Sequence, residues 1–407
     1  MQVFSEVVIG LEWREKTMMY INCDYNEGAH KKILNRLIET NMEQTIGYGC
    51  DEYCDNARKL IKRLCKNNDI DVHFLVGGTQ TNETVISAAL RPHQGVLAAL
   101  SGHINVHETG AIESLGHKVL VLDTDDGKIS AAQIDKYYND HVSNDSFEHI
   151  VQPKMVYISQ PTELGTLYSL SELEEISNVC RKNNLFLFVD GARLGYGLAA
   201  SDNDMTLEDL AKLTDVFYIG GTKVGALFGE AVVISNEYIK EDFRYIMKQR
   251  GGMLAKGRLL GVQFETMFEE YDSEDECKSQ KECVVDVECN SEGRCQIDED
   301  MLGDDIIVKD EELEKTLYMH MSRNAIRHAD RLRKVLMDKN VTFLVENTTN
   351  QIFPILKDSI LKELDKKYVY EYQERIDDTH SAIRFCTSWA TTDEIIDELC
   401  NDLKKLL

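Results

Sequence analysis

Proline, tryptophan and basic residues are scarce in this sequence of 407 residues. It contains 4 prolines and 2 tryptophans, and its 45 Lys and Arg residues stand against 71 Asp and Glu residues, for a net charge of −26. With so little proline, no proline-rich linker is expected. A chain this acidic lacks the positive face that binds phosphate backbones, which excludes general nucleic-acid binding.

Long apolar runs are also absent. No window approaches the roughly 18 uninterrupted apolar residues of a membrane-spanning helix, and Met1 to Lys16 lacks the basic and then apolar order of a secretory signal. We therefore expect a cytoplasmic protein with no membrane partner. The composition, 43% hydrophobic and 29% charged, is that of an ordinary globular protein, and the length is typical of two or three domains.

The 11 cysteines fall into two groups. Seven are scattered, and in a large cytosolic chain we expect them to be reduced and mostly buried: Cys23, Cys50, Cys54, Cys65, Cys180, Cys386 and Cys400. The other four recur every six residues within 271–316, a segment with 17 acidic and 5 basic residues: Cys277, Cys283, Cys289 and Cys295. We predict a solvated, disordered insertion there. A metal or disulfide knot is the alternative, although zinc sites favour gaps of roughly two to four residues, and we predict no metal.

Short apolar runs alternate with amphipathic segments between about residue 55 and residue 235. The predicted strands are Val72 to Val76, Val96 to Leu100, Lys118 to Leu122, Met155 to Ser159, Leu185 to Val189, Val216 to Ile219 and Ala231 to Ile234. One intervening helix is predicted over Ser171 to Lys182, with Ser171 and Glu174 as a capping box. This alternation predicts an α/β fold with a mostly parallel central sheet and helices on both faces.

The C-terminal part follows a different pattern, typical of a smaller α+β domain. Its predicted elements are a long helix over Leu317 to Asp338, strands over Thr342 to Val345, Gln351 to Leu356 and Ala382 to Thr387, and a closing helix from Thr392. We therefore expect an N-terminal extension over 1–19, a large domain over 20–270, the insertion over 271–316 and the small domain over 317–407.

Ligands of such sheets bind at the carboxyl ends of the strands, and three predicted strands end in unusual residues. The first leads into Gly77 to Asn82 and then a helix, so that glycine backbone and hydroxyl groups meet a positive helix N-terminus. This arrangement predicts a phosphate seat. Glycine at such a turn has a plain geometric use as well.

The second strand ends on Asp190, followed by Gly191-Ala192-Arg193. A carboxylate at the end of a buried strand is costly unless a cation or hydrogen-bond donors meet it. Arg193 could be that cation in a structural pair, which leaves two interpretations of Asp190 open.

The third strand ends in Gly220-Gly221-Thr222-Lys223-Val224-Gly225. Burial of Lys223 among glycine and apolar residues would lower the pKa of its amine and make it a nucleophile. A phosphate-binding P-loop is excluded, because Thr222 stands where that motif needs glycine. The nearby cluster His103, His107 and Glu108 lacks the HExxH order of metalloproteases.

A phosphate seat, a buried aspartate and a glycine-flanked lysine 33 residues later together predict a pyridoxal phosphate site. Lys223 would hold the aldehyde as a Schiff base, and Asp190 would keep the pyridine nitrogen protonated. His103 would then be available to stack on the other face of the ring.

These residues carry a family resemblance that runs from about residue 20 to the C-terminus, except the insertion. The order of motifs resembles the low-specificity L-threonine aldolases, fold type I pyridoxal phosphate enzymes of the β-eliminating lyase group. The motifs are Tyr48-Gly49-Cys50-Asp51, Gly78-Thr79-Gln80-Thr81-Asn82, His103-Ile104-Asn105-Val106-His107-Glu108, Asp190-Gly191-Ala192-Arg193, Gly221-Thr222-Lys223 and Arg384-Phe385-Cys386-Thr387-Ser388-Trp389.

The resemblance implies a role for each of these positions. Lys223 is implied as the Schiff-base lysine, Asp190 as the pyridinium partner and His103 as the stacking histidine. The phosphate is implied at Gly78, Thr79 and Gln80, and the substrate at Arg193, Arg384 and Tyr48. The implied reaction is the cleavage of β-hydroxy-α-amino acids such as L-threonine or L-allo-threonine to glycine and an aldehyde, in a homodimer or homotetramer.

Two departures from the family pattern bear on the reaction. The family's Asn-Thr-His after the strand ending at Ser159 is replaced by Gln160-Pro161-Thr162-Glu163, so Glu163 is a candidate general base. A structural role for Glu163 in a different reaction stays open. Near the N-terminus, Asn22-Cys23-Asp24-Tyr25 stands where the family has Arg-Ser-Asp-Thr. Another pyridoxal phosphate reaction, β-elimination or transamination, and a catalytically silent scaffold are the alternative hypotheses.

Overall fold

The computed structural model describes residues 18–271 and 310–407. Its strands, in chain order, are β1 Met19–Tyr20, β2 Asp71–Leu75, β3 Gln94–Ala99, β4 Val119–Leu122, β5 Gln152–Ser159, β6 Phe186–Asp190, β7 Val216–Gly220, β8 Glu230–Ile234, β9 Gln351–Ile352, β10 Ile355–Lys357, β11 Tyr368–Val369, β12 Glu371–Arg375 and β13 His380–Cys386. Its helices up to the insertion are α1 Lys31–Glu39, α2 Glu52–Leu64, α3 Gly78–Ala89, α4 His103–Val106, α5 Ala111–Ser114, α6 Ala131–Val142, α7 Leu170–Lys182, α8 Leu194–Ala199, α9 Leu207–Leu213, α10 Glu237–Glu241, α11 Phe243–Gln249 and α12 Arg258–Phe268. Those after it are α13 Glu311–Glu314, α14 Leu317–Asp338, α15 Asp358–Leu364 and α16 Asp393–Leu406.

The central sheet contains seven of these strands, in the order β2-β8-β7-β6-β5-β3-β4. All neighbours pair in parallel except β8, which runs antiparallel to both β2 and β7. The sheet is therefore mostly parallel, as the sequence predicts, and all seven predicted strands are confirmed. Because β5, β6 and β7 are parallel neighbours, their carboxyl ends meet at one edge.

Helices cover both faces of this sheet, and each face has its own apolar core. One core joins α2, α7, α9, α12 and the first half of α14 to the sheet. The other joins α3, α10 and α11 to the opposite face. Strands buried on both faces read as nearly continuous apolar runs, which explains why the sequence marks them so clearly.

The C-terminal domain is an antiparallel sheet of β10, β13 and β12, with β9 also paired to β13, packed on α14 and α16. Strand β1 pairs in parallel with β11, and Ile21 joins the core of this domain. Strand β1 and Ile21 therefore pack with the C-terminal domain.

Several predicted details are wrong. The N-cap of helix α7 lies two residues earlier than predicted, and the capping box is formed by Ser169 and Glu172 rather than by Ser171 and Glu174, because Ser169 is the residue with extended backbone. The segment Thr342 to Val345 forms only one isolated bridge, Phe343 to Pro354. The segment Gln351 to Leu356 contains two short strands instead of one.

The two ends of the predicted insertion lie side by side. Glu270 and Thr316 form an antiparallel bridge, and the Tyr271 backbone N–H donates to the Lys315 carbonyl at 2.7 Å. Residues after 309 belong to the folded structure, since α13 buries Leu313. The predicted disorder, and the four regularly spaced cysteines, lie in 272–309, outside the described residues.

Within the described residues, the seven scattered cysteines are free, and six of them are buried. Over the same residues, no helix is long and apolar enough to cross a membrane.

Candidate active site

The edge where β5, β6 and β7 end carries the predicted catalytic residues. Ser159, the last residue of β5, lies beside Asp190, the last residue of β6. The chain after β6 approaches β7 so closely that a Cβ on Gly191 would lie 1.8 Å from the Tyr218 carbonyl oxygen. Glycine at this position therefore has a packing reason, and the close approach brings the Lys223 loop toward Asp190.

Two tyrosines hold the Asp190 carboxylate. The Tyr157 hydroxyl donates to Oδ2 at 2.5 Å, the Tyr218 hydroxyl donates to Oδ1 at 2.5 Å, and the Ala192 backbone N–H donates to Oδ1 at 3.0 Å. Burial acts to raise the pKa of Asp190, but the charge of His103 and these hydrogen bonds lower it below its ordinary value overall. Asp190 is therefore ionised and can accept a hydrogen bond from a protonated group of a ligand.

The sequence interpretation missed both tyrosines, although a signal was present. Each is the polar-tipped residue inside an otherwise apolar strand, and a buried tyrosine hydroxyl needs a hydrogen-bond partner. Parallel pairing of β5 and β7 on either side of β6 places both hydroxyls against Asp190.

His103 belongs to a hydrogen-bonded network with Asp190. The ring Nδ1 lies 2.8 Å from Glu108 Oε1, and Asn82 Nδ2 donates to that oxygen at 2.8 Å and to Asp190 Oδ2 at 3.3 Å. Burial opposes a charged His103 ring, but Glu108 and Asp190 raise its pKa above the ordinary value overall. The predicted stacking histidine is thus fixed in orientation by Glu108.

Lys223 lies in the loop after β7, among charged groups. Burial lowers the pKa of its amine, and the positive charge of Arg193 lowers it further, although Asp24 and Asp190 act in the opposite direction. The Tyr196 hydroxyl donates to the Lys223 carbonyl at 2.5 Å and fixes the backbone. The amine therefore loses its proton at a lower pH than the amine of an exposed lysine does, as the sequence predicts.

Helix α3 begins immediately after β2 and points its N-terminus at this edge of the sheet. Among the described residues, no side chain caps its first turn at Gly77. The Gln80 side chain donates to the Arg250 carbonyl at 3.2 Å, which ties the turn to the segment after α11. The positive end of a 12-residue helix is thus available to an anion. This turn contains the predicted phosphate seat, Gly78, Thr79 and Gln80.

Glu163 lies beside both His103 and the end of β5. The Ser159 hydroxyl donates to Glu163 Oε1 at 2.7 Å, and the His103 backbone N–H donates to the same oxygen at 2.9 Å. Burial and the charge of Asp190 raise the pKa of Glu163, although the Ser159 hydrogen bond acts to lower it. Because both bonds end on Oε1, Oε2 is left for other partners. A carboxyl with a raised pKa meets the requirement for a general base.

Arg193 pairs with Asp24 and not with Asp190, so the structural pair considered from the sequence is wrong. Arg193 Nε and Nη2 donate to the two Asp24 oxygens at 2.6 and 3.0 Å, and Asn350 Nδ2 donates to Asp24 at 3.0 Å. Although burial opposes the Asp24 charge, Arg193 and its hydrogen bonds lower the pKa of Asp24 to about 2. Sequence analysis missed this partner because 169 residues separate the two positions.

Arg384 is also held by the protein itself. Its guanidinium donates to the Asn22 carbonyl at 2.9 Å and to Gln351 Oε1 at 3.1 Å, and it forms an ion pair with Glu371 on the neighbouring strand β12. The Arg384 Nε is buried and has no hydrogen-bond partner among the residues that the structure describes. Arg384 contacts Asn22, and Arg193 contacts Asp24, two positions later in the chain.

Tyr48 lies apart from this cluster. Its side chain is 46% exposed, and Lys248 Nζ lies 4.6 Å from its ring centroid. Its backbone N–H donates to the Ala255 carbonyl at 3.2 Å. None of these contacts involves Lys223 or Asp190, so within the described parts of one chain the structure does not bring Tyr48 to the other predicted site residues.

In the cluster His103, His107 and Glu108, the His103 ring and the Glu108 carboxylate form a hydrogen bond with each other. Over residues 18–271 and 310–407, the structure contains no group of three His, Cys, Asp or Glu side chains that could hold a metal ion.

The sheet order and the arrangement around Lys223 together define a class. They are those of a fold type I pyridoxal phosphate-dependent enzyme, in which a lysine carries the cofactor and an aspartate pairs with its ring nitrogen. More narrowly, the sequence pattern of the beta-eliminating lyase family matches residues 29–357, and the chain belongs to this family.

Individual relatives agree with this assignment. The chain is 38% identical to a solved threonine aldolase from Leishmania major, with a TM-score of 0.82 over 95% of this chain and 99% of that one. A low specificity L-threonine aldolase from Pseudomonas aeruginosa is 32% identical over 228 residues, which are 56% of this chain and 64% of that relative. A putative L-allo-threonine aldolase structure from Listeria monocytogenes shares the fold at 18% identity, with a TM-score of 0.63 over 96% of this chain and 97% of that one.

Pyridoxal 5′-phosphate is the cofactor of this class, and the residues present fit it. The uncapped turn of α3 suits the phosphate, and Lys223 suits the aldehyde. The ionised Asp190 suits the protonated ring nitrogen. Asn82 Oδ1 and Glu108 Oε2 are buried polar atoms without partners among the described residues, and both belong to the network that would lie against the ring.

Proposed function

We propose that this chain is a pyridoxal phosphate-dependent carbon-carbon lyase that cleaves β-hydroxy-α-amino acids, with L-threonine and L-allo-threonine as substrates and glycine and acetaldehyde as products. The observation that carries the proposal is the environment of Lys223, a buried amine with a lowered pKa close to the ionised Asp190. The relatives support the substrate class, since the matches above are threonine aldolases by name.

The bound cofactor supplies an electron sink for the pair of electrons released when a bond at the substrate Cα breaks. Asp190, which accepts hydrogen bonds from Tyr157 and Tyr218, would pair with the ring nitrogen of the cofactor and keep it protonated. His103, held by Glu108, would stack on the ring. The first turn of α3, from Gly78 to Gln80, would bind the phosphate through its backbone N–H groups.

The substrate carboxylate is bound by Arg384 and Arg193 in this proposal. Arg193 keeps Nε and Nη2 on Asp24, so only Nη1 is left for a substrate, and a bidentate clamp from Arg193 is not available. Arg384 reaches the substrate by exchanging its contact with Glu371. Binding of the carboxylate by these two side chains would fix the orientation of the substrate Cα.

Glu163 takes the proton of the substrate β-hydroxyl in this proposal, through its oxygen Oε2. Its raised pKa makes it a stronger base than an exposed glutamate, and its bonds to Ser159 and to the His103 backbone hold it in place. In this proposal Glu163 does what the family's histidine would do.

The test is to supply the purified holoenzyme with L-threonine and L-allo-threonine and to measure acetaldehyde by coupling to alcohol dehydrogenase. Release of acetaldehyde and glycine in equal amounts is expected. Formation of a keto acid instead, with or without a keto-acid acceptor, would assign β-elimination or transamination.

Glu163→Gln is expected to lower kcat for threonine cleavage by roughly 100- to 10,000-fold, because the amide cannot accept the hydroxyl proton. Cofactor binding, measured by the visible absorption of the protein, is expected to be unchanged. Glu172→Gln, which alters the cap of α7 away from the site, is the control. Unchanged turnover in Glu163→Gln would remove Glu163 from the mechanism.

We propose further that the protein is a homodimer or homotetramer. The position of Tyr48 supports this, because the resemblance assigns Tyr48 to the substrate although its contacts within one chain lie away from Lys223. Exposed apolar side chains nearby in the sequence, Ile38, Met42 and Ile46, are suited to contact with a second copy of the chain.

A further inference from the structure

Glu230 is a buried carboxyl that none of the proposed steps uses. It is the first residue of β8, it is 3% exposed, and it pairs across the sheet with Gly220 of β7 and Leu75 of β2. Burial of a carboxyl costs free energy unless charged or hydrogen-bonding partners meet it, because burial removes it from water.

The Glu230 side chain clamps the loop that carries Lys223. Its Oε2 accepts the Gly221 backbone N–H at 3.1 Å, and its Oε1 accepts the Thr222 hydroxyl at 2.8 Å. The Thr222 Oγ1 in turn accepts the Gly229 backbone N–H at 3.0 Å. Glu230 thus fixes the two residues immediately before Lys223, through both of its oxygens.

Glu230 also interacts electrostatically with the Lys223 amine. Burial raises the pKa of Glu230 to about 8, although the Thr222 hydrogen bond and the charge of Lys223 act to lower it. The other ionisable groups that face Glu230 are Asp190 from β6, Tyr218 from β7 and Tyr318 from α14. Lys223 is the group of opposite charge among these neighbours, so its charge is the one that an ionised Glu230 would stabilise.

We propose that Glu230 is a positioning residue for Lys223, which anchors the loop through Gly221 and Thr222 and, when ionised, stabilises the positive charge of the amine. This proposal rests on the proposed role of Lys223.

The test is the pH titration of the visible absorption band of the cofactor bound at Lys223, without substrate, in the wild-type protein and in Glu230→Gln. Glutamine has the shape of glutamate but no charge, so the positively charged form of the Lys223 linkage loses a stabilising neighbour. The midpoint of the titration is expected to fall by about one pH unit or more. A merely structural role for Glu230 would not move this midpoint.

Glu265→Gln is the matched control. Glu265 of α12 is another buried glutamate with a raised pKa, and it accepts a hydrogen bond from Asn56 of α2 at 2.8 Å. Its midpoint is expected to equal that of the wild type. An equal midpoint in Glu230→Gln, with the cofactor mapped to Lys223 by borohydride reduction and mass spectrometry, would overturn the proposal.

Glu230→Asp covers the case in which Glu230→Gln does not fold. It keeps the charge but shortens the side chain, so the midpoint is expected to stay near that of the wild type while the cofactor dissociates several-fold faster. Dissociation at the wild-type rate would overturn the anchoring role. If the wild-type protein takes up no cofactor at Lys223, the assignment of Lys223 fails, and that result is distinct from an unshifted midpoint.

Discussion

Asp24 limits what Arg193 can offer to a substrate. The buried pair uses two of the guanidinium nitrogens, and its distances of 2.6 and 3.0 Å are those of a parallel two-point contact. Such a pair is held by geometry as much as by charge, and breaking one partner leaves the other charge buried. Asp24 stands where the family pattern has its aspartate, and its effect on a substrate is therefore indirect, through Arg193.

Asp24→Asn is expected to lower the free energy of unfolding at pH 7 by about 3–5 kcal/mol, because Arg193 is left buried and unpaired. The pKa of Asp24 in the folded protein is about 2, below the ordinary 3.8, so the folded state binds fewer protons than the unfolded chain. The stability from this pair is therefore present above the ordinary pKa and is lost as the pH falls from about 4 toward 2.

Urea unfolding at pH 7 and at steps down to pH 2 measures both effects. Asp140→Asn is the control, since Asp140 forms an exposed pair with Lys136, and it is expected to lose less than about 0.5 kcal/mol. If Asp24→Asn lost no more than this control, the Arg193 pair would not stabilise the fold.

Glu371→Gln is expected to lower KM for the amino acid substrate about two- to fivefold with kcat unchanged. The Glu371 carboxylate occupies Arg384 in the free protein, and its side chain is 45% exposed, so the ion pair is weak enough for a substrate carboxylate to replace. Steady-state kinetics of threonine cleavage give both constants. Glu374→Gln on the same strand is the control, and a raised KM in Glu371→Gln would show that Glu371 orients Arg384 instead.

At the scale of the element, the central sheet could be predicted from the sequence and the small domain only in part. Strands such as β5 and β7 are buried on both faces and read as apolar runs. Strand β12, in contrast, is an edge strand with the sequence Glu-Tyr-Gln-Glu-Arg, and no apolar alternation marks it. Its place beside Arg384 follows from tertiary pairing with β13, which a single sequence does not contain.

The site shows the same division. Lys223, Asp190 and the start of α3 could be found because they follow strands directly. Asp24, the partner of Arg193, could not be found in this way, because 169 residues separate the two positions. Hydrogen bonds between such residues depend on strand order, which local pattern does not determine.

Replacing 272–309 by a linker of about six glycine and serine residues is expected to leave the melting temperature within about 3 °C of the wild type. The ends of the segment are already joined by the Tyr271 to Lys315 hydrogen bond and the bridge beside it. A shorter loop also has a smaller entropic cost of closure. Differential scanning calorimetry of the holo protein measures this. A lost cofactor or a changed subunit number in the shortened protein would contradict the prediction of a solvated insertion.

At the scale of the whole molecule, the separation of Tyr48 from Lys223 leads to a test by complementation. Lys223→Ala and Tyr48→Ala are each expected to be nearly inactive alone. If a second chain supplies Tyr48 to the site, a mixed dimer contains one site of two with both residues intact, so the purified mixed dimer should have about half of the wild-type activity.

Coexpression of the two variants with different affinity tags, followed by tandem purification, isolates the mixed assembly for the acetaldehyde assay. Each variant carrying both tags serves as the control. Mixed assemblies without recovered activity would show that Tyr48 acts within its own chain or not at all.

The network from His103 through Glu108 and Asn82 to Asp190 joins the residue that would stack on the ring to the one that would pair with its nitrogen. The two positions are therefore coupled through one hydrogen-bonded network. Laboratory evolution of this pocket would gain most from libraries that vary these four codons together, because a change at one end alters the requirements at the other.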